Sequence, residues 1–99
     1  MKINRKNRRS SIEIIANILE IAKDGAKKTR IMYLANLSFD LLKKYLNSLI
    51  DKKLLEYDSN EGKYRTTKKG LEFLKIFNDF KEIENAYKEK LEFINEVIK

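Results

Sequence analysis

The chain has 99 residues, 42% of them hydrophobic and 37% charged, with a formal net charge of +7. Cysteine and histidine are both absent, which excludes disulfides, thiolate nucleophiles, imidazole bases and the usual zinc sites. Proline is absent and glycine is confined to Gly25, Gly62 and Gly70, so long helices joined by a few tight turns are expected.

No apolar run approaches the roughly 20 residues that a membrane-spanning helix needs. The basic N-terminus is not followed by the apolar stretch of a signal peptide, so the expectation is an intracellular, cytoplasmic protein with no membrane partner. Residues 1–70 carry 17 Lys/Arg against 8 Asp/Glu, a net of +9, while residues 71–99 carry 5 against 7, a net of −2. A polyanion-binding head followed by a neutral to acidic protein-binding tail accounts for that split.

In chain order, residues 1–9 form a basic arm with Lys2, Arg5, Lys6, Arg8 and Arg9. Ser10 and Glu13 then have the spacing of a capping box, and Ile12, Ile15, Ile18, Leu19 and Ala22 supply a wide buried face for the first helix. Gly25 is a natural stop. Thr29 is placed to cap a second helix over residues 30–35, with Ile31, Leu34 and Ala35 inward. A tight turn at Asn36-Leu37-Ser38 leads into a third helix over residues 39–53, capped by Ser38 and stapled by Leu37 with Leu42. Leu42, Leu46 and Leu49 keep helical spacing there, leaving Lys43, Lys44 and Asn47 outward.

The period then changes. Leu55, Tyr57, Tyr64 and Thr66 alternate with Glu56, Asp58, Lys63 and Arg65 around Ser59-Asn60-Glu61-Gly62, the signal of a β-hairpin. A hairpin directly after a helix-turn-helix is the wing of a winged helix. Thr67 caps a last helix running to Ile98, with Gly70 in its first turn allowing close packing. Along that helix Phe73, Phe80, Tyr87 and Ile94 recur every seven residues, as do Phe77, Glu84, Leu91 and Ile98. This is a coiled-coil seam, to which Ile83 adds an apolar flank, and its simplest partner is a second copy of the chain. Glu84 stands as a polar interruption in mid-seam. The fold class expected is mainly α with a small hairpin. Residues 1–9 are an arm, 10–70 a winged helix-turn-helix head, and 71–99 a dimerisation helix.

A helix-turn-helix presents such an outward set to the DNA major groove. Lys43 and Lys44 serve phosphate as point charges, and Asn47 can bond adenine bidentately. Ser38 and Asp40 stand at the start of the same helix, where Asp40 complements the helix dipole but repels phosphate. Lys27, Lys28, Thr29 and Arg30 open the second helix, whose free N–H groups favour a phosphate. Lys63 and Arg65 share one face of the wing, and Arg8 and Arg9 extend the basic surface from the arm. The plainer alternative is that these charges only solvate exposed faces. Tyr33, Tyr45, Tyr57 and Tyr64 read as half-buried core rather than as a stacking platform for single strands. Asp79, Glu82, Glu89, Glu92 and Glu96 read as solubilising charge on the last helix. No nucleophile–base pair can be assembled, so neither an enzyme nor a cofactor, metal or small-molecule ligand is expected.

Residues 25–38 (G-A-K-K-T-R-I-M-Y-L-A-N-L-S), 41–46 (L-L-K-K-Y-L) and 64–74 (Y-R-T-T-K-K-G-L-E-F-L) resemble the small crenarchaeal "10a" chromatin proteins. The resemblance spans roughly residues 12–98. It implies a winged helix whose long C-terminal helix pairs antiparallel with its twin. It also implies two heads at opposite ends of a rod, and largely sequence-tolerant binding of double-stranded DNA in the nucleoid. Two other readings stay open: a sequence-specific transcriptional repressor, and a winged-helix module that binds other proteins.

Overall fold

The computed structural model describes residues 9–99; Lys2, Arg5, Lys6 and Arg8 of the basic arm lie outside the described residues. Helix α1 spans Ser11–Ile21, α2 Lys28–Ala35 and α3 Phe39–Asp51; strands β1 (Leu55–Asp58) and β2 (Lys63–Thr66) follow, and α4 runs over Lys68–Ile98. The three capping signals at Ser10, Ser38 and Thr67 all operate. Ser10 completes the capping box with Glu13, the Ser38 hydroxyl accepts from the Leu41 N–H, and the Thr67 hydroxyl accepts from the Gly70 N–H.

Thr29 does not cap α2. The N-cap is Lys27, and no side chain bonds the helix start. The cause lies one step earlier in the chain, where Ala26 exchanges two backbone hydrogen bonds with Tyr64 of β2, at 2.9 and 2.8 Å. The chain therefore leaves a sheet-like pairing at Ala26 and enters the helix directly, before Thr29 is reached.

The core gathers Ile14, Ile18 and Leu19 of α1, Ile31 and Ala35 of α2, Leu42, Leu46 and Leu49 of α3, Leu54 and Leu55 of the wing, and Leu74 of α4. Ile12 and Leu34, expected inward, are exposed, and Ile14 and Ala16 are buried in α1 instead. Tyr33 and Tyr57 are likewise exposed, Tyr33 to 82%, whereas Tyr45 and Tyr64 pack against the core as expected. The hairpin register pairs Leu55 with Thr66 and Tyr57 with Tyr64. Its inner end is fixed by the buried Thr66, whose hydroxyl donates to the Leu19 carbonyl at 2.6 Å.

Helix α4 meets the head along its first half. Gly70 lies so close to the Leu54 carbonyl and the Thr66 methyl that a Cβ there has no room. Farther along, Lys81 pairs with Glu13 of α1 at 3.3 Å and with Glu84 at 3.0 Å. Glu84 is thus half-buried and engaged by a lysine of its own chain. Beyond Glu84 every residue of α4 is exposed, and the molecule measures 60 × 31 × 19 Å. Among the described residues no helix is long and apolar enough to cross a membrane.

Candidate nucleic-acid interface

The turn between α2 and α3 is built by Asn36, which adopts the left-handed conformation (φ 56°, ψ 54°) that asparagine tolerates better than most residues. The N–H groups of Asn36 and Leu37 return to the Tyr33 and Met32 carbonyls at 3.2 and 3.1 Å and so close α2. Leu37 packs against the core cluster that contains Leu42, which fixes the angle at which α3 departs. With Leu42, Leu46 and Leu49 buried, Lys43, Lys44 and Asn47 face solvent, as do Ser38 and Asp40 at the helix start. The Tyr45 hydroxyl donates to Ser11 Oγ at 3.2 Å, a further tie between α3 and the start of α1.

The beginning of α2 lies between the wing and α3. Ala26 pairs with Tyr64 of the wing, while the Lys28 ammonium sits 4.6 Å from the centre of the Phe39 ring at the first position of α3. Lys27, Thr29 and Arg30 are exposed around an N-terminus whose N–H groups have no side-chain cap. An uncapped helix start flanked by cations is suited to an anion, because the orphan N–H groups and the helix dipole act in the same sense.

The wing cations are placed differently. Arg65 donates to the Asp24 carbonyl at 3.0 Å, approaches Glu61 at 3.4 Å and Asp58 at 3.9 Å, and lies against the face of Gly25. Lys63 stands 3.9 Å from Glu61. Asp58 in turn accepts from the Asn60 and Glu61 N–H groups, shaping the tip. Arg65 thus ties the wing to the α1–α2 loop, and its charge is largely met within the wing. Tyr57 and Tyr64 pack as a tilted cross-strand pair with ring centres 4.8 Å apart, and burial pushes the Tyr64 phenol above its ordinary pKa.

Arg9 also has a structural partner. Its guanidinium donates to the Ala35 carbonyl at 2.6 Å, satisfying the C-terminal end of α2 and holding the start of the described chain beside the helix-turn-helix turn. Arg8 lies outside the described residues.

Two groups escaped the sequence reading. Phe39 follows the Ser38 cap and stands outside the stripe of Leu42, Leu46 and Leu49, a spacing that already marks it as a non-core aromatic. On α4, Ile76, Phe93 and Val97 join Phe80, Ile83, Tyr87, Leu91, Ile94 and Ile98 as exposed apolar side chains. Phe73 and Phe77 are half-buried with parallel rings 6.5 Å apart. With exposed Ile12, Ile76 and Phe80 they line an apolar groove of about 330 Å³ where α1 meets α4. Among the described residues, no group of three or more Asp and Glu side chains is arranged to hold a metal ion.

A family model described as winged helix-turn-helix matches residues 8–85. A protein of Methanocaldococcus jannaschii described as uncharacterized is 37% identical over 84 residues, 84% of each chain. The crystal structure of Sso10a-2, a DNA-binding protein from Sulfolobus solfataricus, superposes with a TM-score of 0.81 at 24% identity, covering 92% of this chain and 98% of that one. At that identity the likeness speaks for the fold, and it includes the long C-terminal helix.

Proposed function

The chain belongs to the winged helix-turn-helix family, and we propose that it is a homodimeric binder of double-stranded DNA. Its binding is largely sequence-tolerant, and it organises nucleoid DNA with a consequent influence on transcription. The observation that carries the DNA reading is the cationic surface formed by the uncapped start of α2 and the outer face of α3. Lys27, Lys28 and Arg30 surround free N–H groups, and Lys43 and Lys44 project from the neighbouring helix. Lysines at the reading positions neutralise phosphate and leave Asn47 as the polar side chain for a base edge. The DNA-binding character of the structurally similar Sulfolobus protein accords with this. Lys63 adds a peripheral phosphate contact, while Arg65 and Arg9 act chiefly by holding the wing and the turn in place.

The dimer rests on α4. Ile76, Phe80, Ile83, Tyr87, Leu91, Ile94 and Ile98 form an exposed apolar stripe well beyond what a soluble helix leaves to water. A second copy running antiparallel lays its distal Leu91, Ile94 and Ile98 along the proximal Phe73, Phe80 and Ile12 groove, burying both ends of the stripe at once. With Glu84 committed to Lys81, Ile83 takes the place on the seam that the heptad had assigned to the acid.

The test is fluorescence anisotropy of the full chain on random-sequence duplex across a salt series. With six to ten phosphates neutralised, affinity falls by about 10³–10⁵ between 50 and 200 mM salt. Lys43→Glu with Lys44→Glu weakens binding to every duplex alike. Absence of binding at low salt overturns the reading in favour of a protein-interaction module. A single footprint with paired half-sites replaces the organiser by a sequence-specific repressor.

A further inference from the structure

Phe39 contributes neither to the core nor to the α4 stripe. It occupies the first position of α3, is 51% exposed, and is not among the partly buried side chains that pack against the core cluster. What distinguishes it from the other exposed apolar side chains of the head, such as Tyr33 and Leu34, is its place at the tip of the helix that would enter the groove. The Lys28 ammonium over the ring, 4.6 Å from its centre, restrains it, and about half of the residue still meets solvent. Lys28 opens α2, at the place proposed for a phosphate, so the ring is held between a backbone anchor and the groove floor.

N-terminal residues of a recognition helix are those that meet base edges, while the preceding helix crosses the backbone. Of the groups displayed on the floor of the major groove, the C5-methyl of thymine is the apolar one that projects into it, and phenylalanine is one of the side chains that meets it. We propose that Phe39 is a specificity-determining residue that contacts thymine methyls, giving an otherwise sequence-tolerant binder a preference for thymine-bearing steps. This rests on the DNA-binding reading above and adds to it a base class and the residue that senses it. The adjacent groups are consistent: the short Ser38 hydroxyl is engaged at the Leu41 N–H, and Asp40 and Lys43 on the same helix are exposed.

The test compares two duplexes of one sequence, one with thymine and one with uracil in its place, which differ only by the C5-methyl groups. Removing a buried methyl weakens binding about fourfold for each methyl engaged. Wild-type protein is therefore expected to bind the uracil duplex at least that much more weakly, and to bind a G·C-rich duplex more tightly when its cytosines carry a 5-methyl group. Phe39→Ala binds the thymine and uracil duplexes alike, whereas Phe39→Leu, still apolar, keeps the difference. The wild-type comparison does not depend on the folding of any variant. Equal affinity of the wild type for both duplexes overturns the proposal while leaving DNA binding intact. Discrimination that persists in a folded Phe39→Ala assigns the effect to duplex shape and also overturns it. Binding to neither duplex at low salt overturns the DNA-binding reading and this proposal together.

Discussion

Gly70 joins the long helix to the head through the absence of a single carbon. In an exposed helix, replacing glycine by alanine gains up to about 1 kcal/mol in propensity. Here an added Cβ would meet the backbone carbonyl of Leu54 and come within 2.6 Å of Thr66 Cγ2, and Thr66 is itself fixed by its bond to Leu19. A backbone oxygen cannot rotate away as a side chain can, so overpacking outweighs propensity. Gly70→Ala is expected to destabilise the protein by about 1–3 kcal/mol in urea unfolding. A gain in stability would mean that the contact is looser than described. The glycine was recognisable in the sequence as a close-packing point, because it falls in the first turn of a helix that is otherwise free of breakers. Which atoms it meets was not, since Leu54 and Thr66 reach it only through the hairpin.

At the scale of elements, signals confined to a few residues were legible and those that depend on what packs alongside were not. Ser10, Ser38 and Thr67 each cap the helix that follows because the interaction spans three residues. The hairpin register follows from strict alternation about a glycine-containing turn. Helix α1, by contrast, offers isoleucine at positions 12, 14, 15, 18 and 21, apolar around most of its circumference, so spacing alone cannot choose the buried side. Packing decides it: Ile14 and Ile18 are buried in the core, while Ile12 stays outward at the rim where α1 meets α4. In the Glu13–Lys81–Glu84 brace, Lys81–Glu84 is a local i,i+3 pair, but the Glu13–Lys81 link across α1 and α4 has no local sequence signature. Glu13 bonds to the Ser10 N–H and pairs with Lys81, which holds its carboxyl below the ordinary pKa. Its contribution to stability is therefore present above the ordinary carboxylate range and is lost as pH falls through the depressed folded value. Lys81 is raised by Glu84 and Glu13, so its share is present at neutral pH and is lost only as pH climbs past the ordinary lysine range. Glu13→Gln should melt below wild type at pH 7, with the two curves converging in acid as the wild-type carboxylate protonates. A constant gap down to strongly acidic pH would detach the brace from stability.

For the whole molecule, the charge split and the shape bear on the same question. A head region of net +9 is followed by a tail of net −2 that is almost wholly one 31-residue helix, about 46 Å long at 1.5 Å per residue, whose second half is exposed. The proposed antiparallel pairing covers the exposed stripe and places two cationic heads at opposite ends of one rod, near-neutral along its length and so without strong attraction for the duplex between them. Affinity for long DNA then depends on both heads engaging, with the rod setting their effective concentration. Phe80→Asp with Tyr87→Asp places charge at the centre of the stripe without touching the head core, since both side chains are exposed in the single chain. The double variant is expected to sediment as a folded monomer and to lose about 10²–10⁴ in affinity for a long duplex. Its affinity for a duplex too short to reach both heads should match that of the wild type, because each head keeps its own phosphate contacts. Equal loss on short and long duplexes would place the damage in the head, and a wild-type chain that sediments as a monomer would remove the rod from the account.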